Sequence, residues 1–295
     1  LIELLVVVAI IGLLVAILVP ALSAARQQAV TVRCQANLRT LAQGLVLYSN
    51  EYRDALVPGR LPQLDDCNAY ATLLGARKYR PTFLAMLSLA VNVPPFDDPQ
   101  ACRTTYDRHG ERGDRQNYSY GAYVCPAAAD WTDERNGSYG YNYQFLGNSR
   151  LLESTDVTSY KNWPVLLSRV AVPARTVAIA DSLGTAAHFA AGERLPYDNN
   201  GRGDRVMGNE GFNLDPPRVD PVLGEMADLD GNPPARSGVH ARHRGRAGVA
   251  WLDGHVTADT PAELGYRVLD GGQMTFDGDN TRWSGNGRDR AWQVP

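Results

Sequence analysis

Residues Leu4 to Leu22 read LLVVVAIIGLLVAILVPAL, a run without a single polar side chain. Glu3 is the one charged residue among the first twenty-five positions. As a helix the stretch extends for about 28 Å at ~1.5 Å per residue, roughly the hydrocarbon thickness of a bilayer. The sequence therefore predicts one membrane-spanning helix. A carboxylate at its head costs on the order of 3 kcal/mol in lipid, so Glu3 requires a positive partner.

Beyond Arg26 the hydrophobic period stays helical. Steps of four and three connect the apolar stripe Val30, Cys34, Leu38, Leu41, Leu45, Tyr48 and Tyr52. Pro58-Gly59 breaks a helix, so the helix is predicted to end near Arg53. An apolar run with one charge at its head that leads into a longer helical pattern suggests a subunit that assembles into a filament. We therefore expect a rod in two parts: residues 1–25 are the transmembrane or filament-core half, and residues 26–54 are the amphipathic half. Residues 55–295 form one globular domain.

Three simpler interpretations of the apolar run compete with an assembly role: a cleaved secretory signal, an ordinary membrane anchor and a buried core helix. The small residues from Ser23 to Ala25 are compatible with signal cleavage. However, no basic stretch precedes the apolar run, and the helical pattern does not stop there.

Gly12 and Pro20 weaken the helix between them. Proline has no amide hydrogen and leaves the Ala16 carbonyl without its helical partner, while glycine is a poor helix former. The stretch between these two residues is the place where the helix melts most easily, and a simple kink at Pro20 is the alternative.

The segment from Leu1 to Leu14, with Glu3 and the later Pro20, resembles the N-terminal segment of type IV pilins and type II secretion pseudopilins. In that family a dedicated prepilin peptidase cuts before a residue that is commonly Phe and methylates the new amine. Glu3 matches the family's glutamate near the mature terminus, where it pairs with a neighbour's amine. The resemblance implies that a Phe-Thr-like pair precedes Leu1. Such filaments also show an extended segment between a glycine and a proline at the spacing of Gly12 and Pro20.

Composition limits what the remaining ~240 residues can be. Gly and Pro together number 46 of 295, so loops and short strands are expected to dominate the domain. The formal charge of -3 gives no electrostatic footprint for nucleic acid. The predicted fold class is α+β: a long N-terminal helix packed on a small antiparallel sheet, with long loop insertions.

Two strand signals define that sheet. One runs from Thr176 to Ala180 and is closed by Asp181. The other runs from Ala247 to Leu252 and continues through an Asp-Gly turn, which predicts a hairpin. The span from 184 to 245 shows no sustained period and is predicted to be a long insertion exposed on the filament surface.

His243 is followed, after nine residues, by Asp253-Gly254. This spacing resembles the H-X9-DG motif of a large bacterial group of pilin-like proteins with the same N-terminal processing signal. The residues from Arg33 to Leu38 also resemble the Cys and Asn-Leu pattern of that group. The long insertion before His243 and the tail after the hairpin depart from it.

The four cysteines lie too far apart for a CxxC metal motif. An exported chain meets an oxidising compartment, so two disulfides are expected. Of the three possible connectivities we favour Cys34 to Cys125, which ties the rod to the domain, and Cys67 to Cys102, which closes a loop. Free buried thiols are the alternative.

Three groups of side chains could bind a metal. His243, Asp253 and His255, with Asp181 from the neighbouring strand, offer suitable ligand atoms, but structural bracing is the favoured interpretation. Two acidic loops, residues 228–232 and 277–280, alternate oxygen ligands with glycine as calcium loops do, although neither completes the twelve-residue loop. Solvated turns explain both loops as well. If calcium binds, Asp277, Asp279 and Asn280 are the preferred ligands, and no other cofactor is indicated.

The sequence therefore predicts a structural subunit of a type IV pilus-like filament. It inserts first in the bacterial inner membrane and polymerises with copies of itself through its N-terminal helices into a cell-surface fibre. The resemblance implies that the prepilin peptidase and a pilus assembly machinery are its partners. A minor pseudopilin of a type II secretion-like system and a membrane-anchored module that binds a sugar or another solute are the alternatives. No nucleophile elbow, P-loop or dinucleotide fingerprint is present, which predicts that the chain is not an enzyme.

Overall fold

A computed structural model describes residues 2–61, 68, 71–75, 81–93, 96, 99–100, 120–128, 137–150, 160–162, 165–194, 211–217 and 236–289. The helices are α1 (Ile2–Glu51), α2 (Ala71–Leu74), α3 (Phe83–Val91) and α4 (Tyr143–Leu146). The strands are β1 (Tyr139–Tyr141), β2 (Asn148–Arg150), β3 (Tyr160–Asn162), β4 (Val177–Gly184), β5 (Gly238–Val239), β6 (Ala247–Trp251), β7 (Val256–Asp259), β8 (Arg267–Val268) and β9 (Met274–Thr275). Short 3-10 turns lie at Leu167–Arg169, Pro173–Arg175, Thr185–His188 and Ala191–Glu193.

Helix α1 is continuous from Ile2 to Glu51 and includes Pro20. It ends two residues before the predicted position, because Arg53 and Asp54 both adopt left-handed backbone conformations, with φ of 54° and 71°. The Asp54 amide then donates to the Ser49 carbonyl at 2.7 Å and closes the last turn.

The central sheet is antiparallel, as predicted. Its order is β1-β4-β6-β7, and β5 also pairs with β4. Strands β6 and β7 form the predicted hairpin, with Ala250 opposite Val256 and the Trp251 amide bonded to the His255 carbonyl at 2.9 Å. The prediction that Asp181 closes its strand was wrong. Strand β4 runs on to Gly184, because β1 and β5 supply hydrogen-bond partners beyond Ala180.

Both faces of this sheet are covered. One face packs on the second half of α1, where Leu38, Leu41 and Leu45 are buried in the same cluster as Ala250. The opposite face packs on residues 264–283, the tail that follows the hairpin. Alternate residues of β6 belong to that second cluster, together with the fully buried Trp283. Strand β4 is therefore buried at every position.

The span from 184 to 245 is not simply an exposed insertion. Within the described parts of this span, the side chains of Ala187, Phe212, Leu214 and Val239 are buried in the core. They pack because the span supplies strand β5 and an extended segment beside β1, where the Leu214 amide donates to the Tyr141 carbonyl at 2.8 Å. The prediction of an exposed insertion was wrong for these residues.

Candidate functional site

The first half of α1 exposes its apolar side chains. Its most apolar 18-residue window has a mean hydropathy of 3.2, and none of it is buried inside the chain. Leu4, Leu14 and Leu22 are 66%, 55% and 56% exposed. A core helix would be covered by its own chain, so the interpretation as a buried core helix is wrong. This half of α1 is long and apolar enough to anchor the protein in a membrane.

Glu3 lies in the first turn of α1 and is exposed. Within the described part of the chain it forms no ion pair or hydrogen bond, so any partner for its carboxylate has to come from elsewhere. Gly12 has no atom within 4 Å of the position where a Cβ would lie. Packing inside this chain therefore does not require a glycine there, and the helix stays unbroken from Gly12 through Pro20.

The second half of α1 is fixed to the domain by a disulfide. Cys34 and Cys125 are bonded, with their Cα atoms 5.2 Å apart, and both are fully buried. This pairing confirms the prediction. One turn along α1, the Nδ2 atom of the Asn37 side chain donates to the carbonyls of Gly121 and Val124 at 2.7 and 3.0 Å. Cys67 and Cys102, the other predicted pair, lie outside the described residues.

A buried polar cluster lies beside this disulfide, and His243 is at its centre. The His243 Nε2 atom is 3.2 Å from Asp181 Oδ2 and 3.6 Å from Cys125 Sγ. The Nδ1 atom on the other side of the ring is 3.3 Å from the hydroxyl of Thr31 on α1. His243 therefore connects α1, the disulfide and strand β4.

Asp181 serves both the sheet and this cluster. Its Oδ2 atom accepts the Gly248 amide at 2.6 Å, and its side chain is fully buried. Arg242 lies beside it, with Nε 3.9 Å from Oδ1, and donates to the carbonyls of Ser138 and Ser182. Burial lowers the pKa of the Arg242 guanidinium, although the Asp181 charge acts against that change.

Gly248 allows α1 to approach the sheet. A Cβ at this position would lie 2.6 Å from Leu38 Cδ1 and 3.1 Å from Asp181 Oδ2. The first distance is shorter than real Cβ contacts, so any larger residue here would have to push the buried Leu38 side chain away from β6. No local pattern indicated this role, because a glycine in a strand also fits a bulge.

The two ends of the H-X9-DG spacing have different environments. His243 is buried in the cluster, whereas Asp253 and His255 form an exposed pair at the hairpin tip, with Oδ1 and Nδ1 2.5 Å apart. Burial alone would raise the pKa of Asp253, but the hydrogen bonds from His255 lower it below its usual value. Gly254 has a φ of 94° and supplies the turn. His243 therefore lies with Asp181, whereas Asp253 and His255 pair with each other at the exposed tip, so these four residues do not share one cluster. This separation favours bracing over a joint metal site.

The preferred calcium ligands have other partners. Asp277 accepts hydrogen bonds from Thr275 at 2.5 Å and from Arg267, and the Thr275 bond lowers its pKa. Asp279 accepts the Thr281 amide at 2.8 Å, and Asn280 is fully buried. The alternative acidic loop at 228–232 lies outside the described residues.

Asp215 organises a second buried network that the sequence did not indicate. Its Oδ1 atom accepts from the Tyr143 hydroxyl at 2.8 Å and from Gln144 at 2.5 Å, and its Oδ2 atom accepts the Ser237 amide at 2.8 Å. The Tyr266 hydroxyl donates to its backbone carbonyl. An Asp before two prolines is typical of a loop, so no local pattern could have identified Asp215 as the centre of a buried hydrogen-bond network.

Comparisons of the chain with protein-family models, with curated proteins and with solved structures found no match.

Proposed function

We propose that this chain is the structural subunit of an extracellular filament of the type IV pilus class. One observation carries the proposal. The first half of α1 is apolar, exposed and begins with the Glu3 carboxylate, and it continues without a break into the second half, which a disulfide bonds to the folded domain. Force applied to the first half would therefore be transmitted directly to the domain.

The energetics favour bundling of the apolar halves. Burying each Leu, Ile or Val is worth roughly 1.5 to 3 kcal/mol, so covering the nineteen residues from Leu4 to Leu22 gives tens of kcal/mol before losses of entropy. Contacts between identical subunits that do not close into a ring grow as helical fibres. The subunit leaves the bilayer when neighbouring helices replace lipid around its apolar half.

Glu3 gives this assembly its register. An unpaired carboxylate costs on the order of 3 kcal/mol in an apolar environment, and a neighbour's terminal amine would remove that penalty. A subunit shifted by one helical turn would leave both charges unpaired. Glu3 therefore selects one axial position among many that bury similar apolar area.

The test compares two glutamates on the same helix. We expect Glu3→Ala and Glu3→Gln to abolish filaments in sheared cell-surface material, whereas Glu51→Ala at the far end of α1 retains them. Filaments are counted by negative-stain microscopy, and immunoblots of the membrane fraction verify that each variant is still made. Normal filaments from Glu3→Ala would rule the proposal out.

Mass spectrometry of the sheared material separates the alternatives. A main subunit forms the principal band. A minor pseudopilin is present in trace amounts, and a membrane-anchored solute-binding module stays monomeric whether or not Glu3 is replaced.

A further inference from the structure

We propose that Cys34, Cys125, His243 and Asp181 form a zinc(II) site when the disulfide is reduced, so that metal can fasten α1 to the sheet in place of the S–S bond. The ligand atoms of the two cysteines and His243 all lie within 4.8 Å of one another. Asp181 is outside that group: its Oδ2 atom lies 3.2 Å from His243 Nε2, so the carboxylate has to turn toward the sulfurs to complete the site. Two thiolates, an imidazole and a carboxylate are ligand types that zinc prefers in a tetrahedral site.

The spacing around His243 matches that geometry. With bonds of ~2.3 Å to sulfur and ~2.0 Å to nitrogen or oxygen, tetrahedral zinc holds sulfur and nitrogen ~3.5 Å apart, and nitrogen and oxygen ~3.3 Å apart. The His243 Nε2 atom lies 3.6 Å from Cys125 Sγ and 3.2 Å from Asp181 Oδ2. Once the S–S bond is broken, the sulfurs need to separate only to ~3.8 Å.

The contact between Thr31 and His243 orients the histidine ring for a metal. The Thr31 hydroxyl donates to the Gln27 carbonyl at 2.9 Å, so its oxygen is left to accept from His243 Nδ1 at 3.3 Å. In the tautomer that carries its proton on Nδ1, this hydrogen bond leaves the Nε2 lone pair available to the metal. Histidine ligands of zinc are commonly oriented in this way.

Charge and burial also fit. In the described part of the chain no donor reaches Asp181 Oδ1, although its side chain is fully buried. Zinc with two thiolates and one carboxylate carries a net charge of minus one, and the buried guanidinium of Arg242 neutralises it. An unpartnered buried carboxylate oxygen is otherwise costly.

The chemistry balances with an ordinary dithiol as the reductant. The dithiol transfers two electrons and two protons to the Cys34–Cys125 bond and becomes a disulfide itself. Zinc then displaces one proton from each thiol. Such a site would hold α1 in place in an exported chain that is still reduced. A disulfide oxidant would later take two electrons from the two thiolates, re-form the Cys34–Cys125 bond and release the zinc.

The test uses the full chain as monomers in detergent micelles, so that it is independent of filament assembly. Cys67→Ser and Cys102→Ser remove the other two thiols. The chain is reduced with a phosphine, washed without oxygen and titrated with cobalt(II), which reports tetrahedral thiolate coordination by its absorption. We expect one cobalt per reduced chain, displacement by zinc and no uptake by the disulfide form.

Matched variants identify the ligands. His243→Ala and Asp181→Asn should weaken uptake by at least ~10-fold. Thr31→Val should do the same, because it removes the hydrogen bond to His243 together with the exposed one to the Gln27 carbonyl. His255→Ala and Asp253→Asn change the same residue types in the exposed hairpin pair and should bind as the parent does. Absence of cobalt thiolate bands, or equal affinity in His243→Ala, would overturn the proposal. If reduction unfolds the chain, metal has to restore its helical circular dichroism in the parent but not in His243→Ala, and failure to do so is equally decisive.

Discussion

The two halves of α1 belong to one uninterrupted helix but have opposite surroundings. Leu18 in the first half is 63% exposed, whereas Leu38 in the second half is fully buried. Both halves are apolar, so hydrophobicity alone does not determine which of them enters the domain core. The second half alternates apolar and polar side chains and can present one face to a sheet. The first half is apolar on all sides and requires cover on all sides.

The largest effect is expected from a leucine pair that tests this difference. Leu38→Ala leaves a cavity between α1 and the sheet and should lower the free energy of unfolding of the domain by roughly 2 to 5 kcal/mol. Leu18→Ala should leave that free energy unchanged and should instead reduce the yield of filaments. Urea unfolding in micelles, followed by tryptophan fluorescence, gives the first quantity. Similar losses in the two variants would mean that the halves are not independent.

A glycine pair should give the next largest effect. Gly248→Ala pushes a methyl group against Leu38 and Asp181, which should destabilise the domain by roughly 1 to 3 kcal/mol. Gly12→Ala meets open space and strengthens the helix by about 1 kcal/mol. The free energy of unfolding of the Gly12→Ala domain should equal that of the parent in the same urea experiment. If the stretch from Gly12 to Pro20 melts during assembly, Gly12→Ala should also slow filament formation.

The smallest effect concerns two asparagines of the second half. Asn37→Ala removes two hydrogen bonds to the segment that carries Cys125 and should lower stability by about 1 to 2 kcal/mol. Asn50→Ala, at an exposed position, gains the same helix propensity without that loss. The difference in urea midpoint between these variants gives the contribution of the Asn37 hydrogen bonds to the contact between α1 and the segment of Cys125. Equal midpoints would show that the disulfide alone holds this segment on α1.

Much of the scaffold follows from local patterns. The steps of three and four predicted the buried positions Cys34, Leu38, Leu41, Leu45 and Tyr48 of α1, although Ala42, Gly44 and Ser49 are buried as well. The Asp-Gly turn predicted the β6–β7 hairpin. The Cys34–Cys125 bond was predicted as the connectivity that ties the long helix to the domain. These predictions held because each depends on the period of neighbouring residues or on the chemistry of one residue type.

Local sequence patterns predicted only part of the candidate site. His243 stood out by its spacing from Asp253-Gly254, yet its contacts are Thr31, Cys125 and Asp181, which lie up to 212 residues away in sequence. The roles of Gly248 and Asp215 had no local signal either. Their importance comes from the close approach of elements that only the complete fold brings together.

The long helix and its division into an all-apolar half and an amphipathic half follow from the sequence alone. So does the presence of a cysteine on the amphipathic half that can bond to the domain. Periodicity and residue chemistry are local properties, so one chain is enough to show them. The tertiary structure alone decided that residues 264–283 cover the second face of the sheet and that His243 joins Asp181 beside the disulfide. Such long-range contacts depend on how all the elements share one core, and that is a property of the packing as a whole.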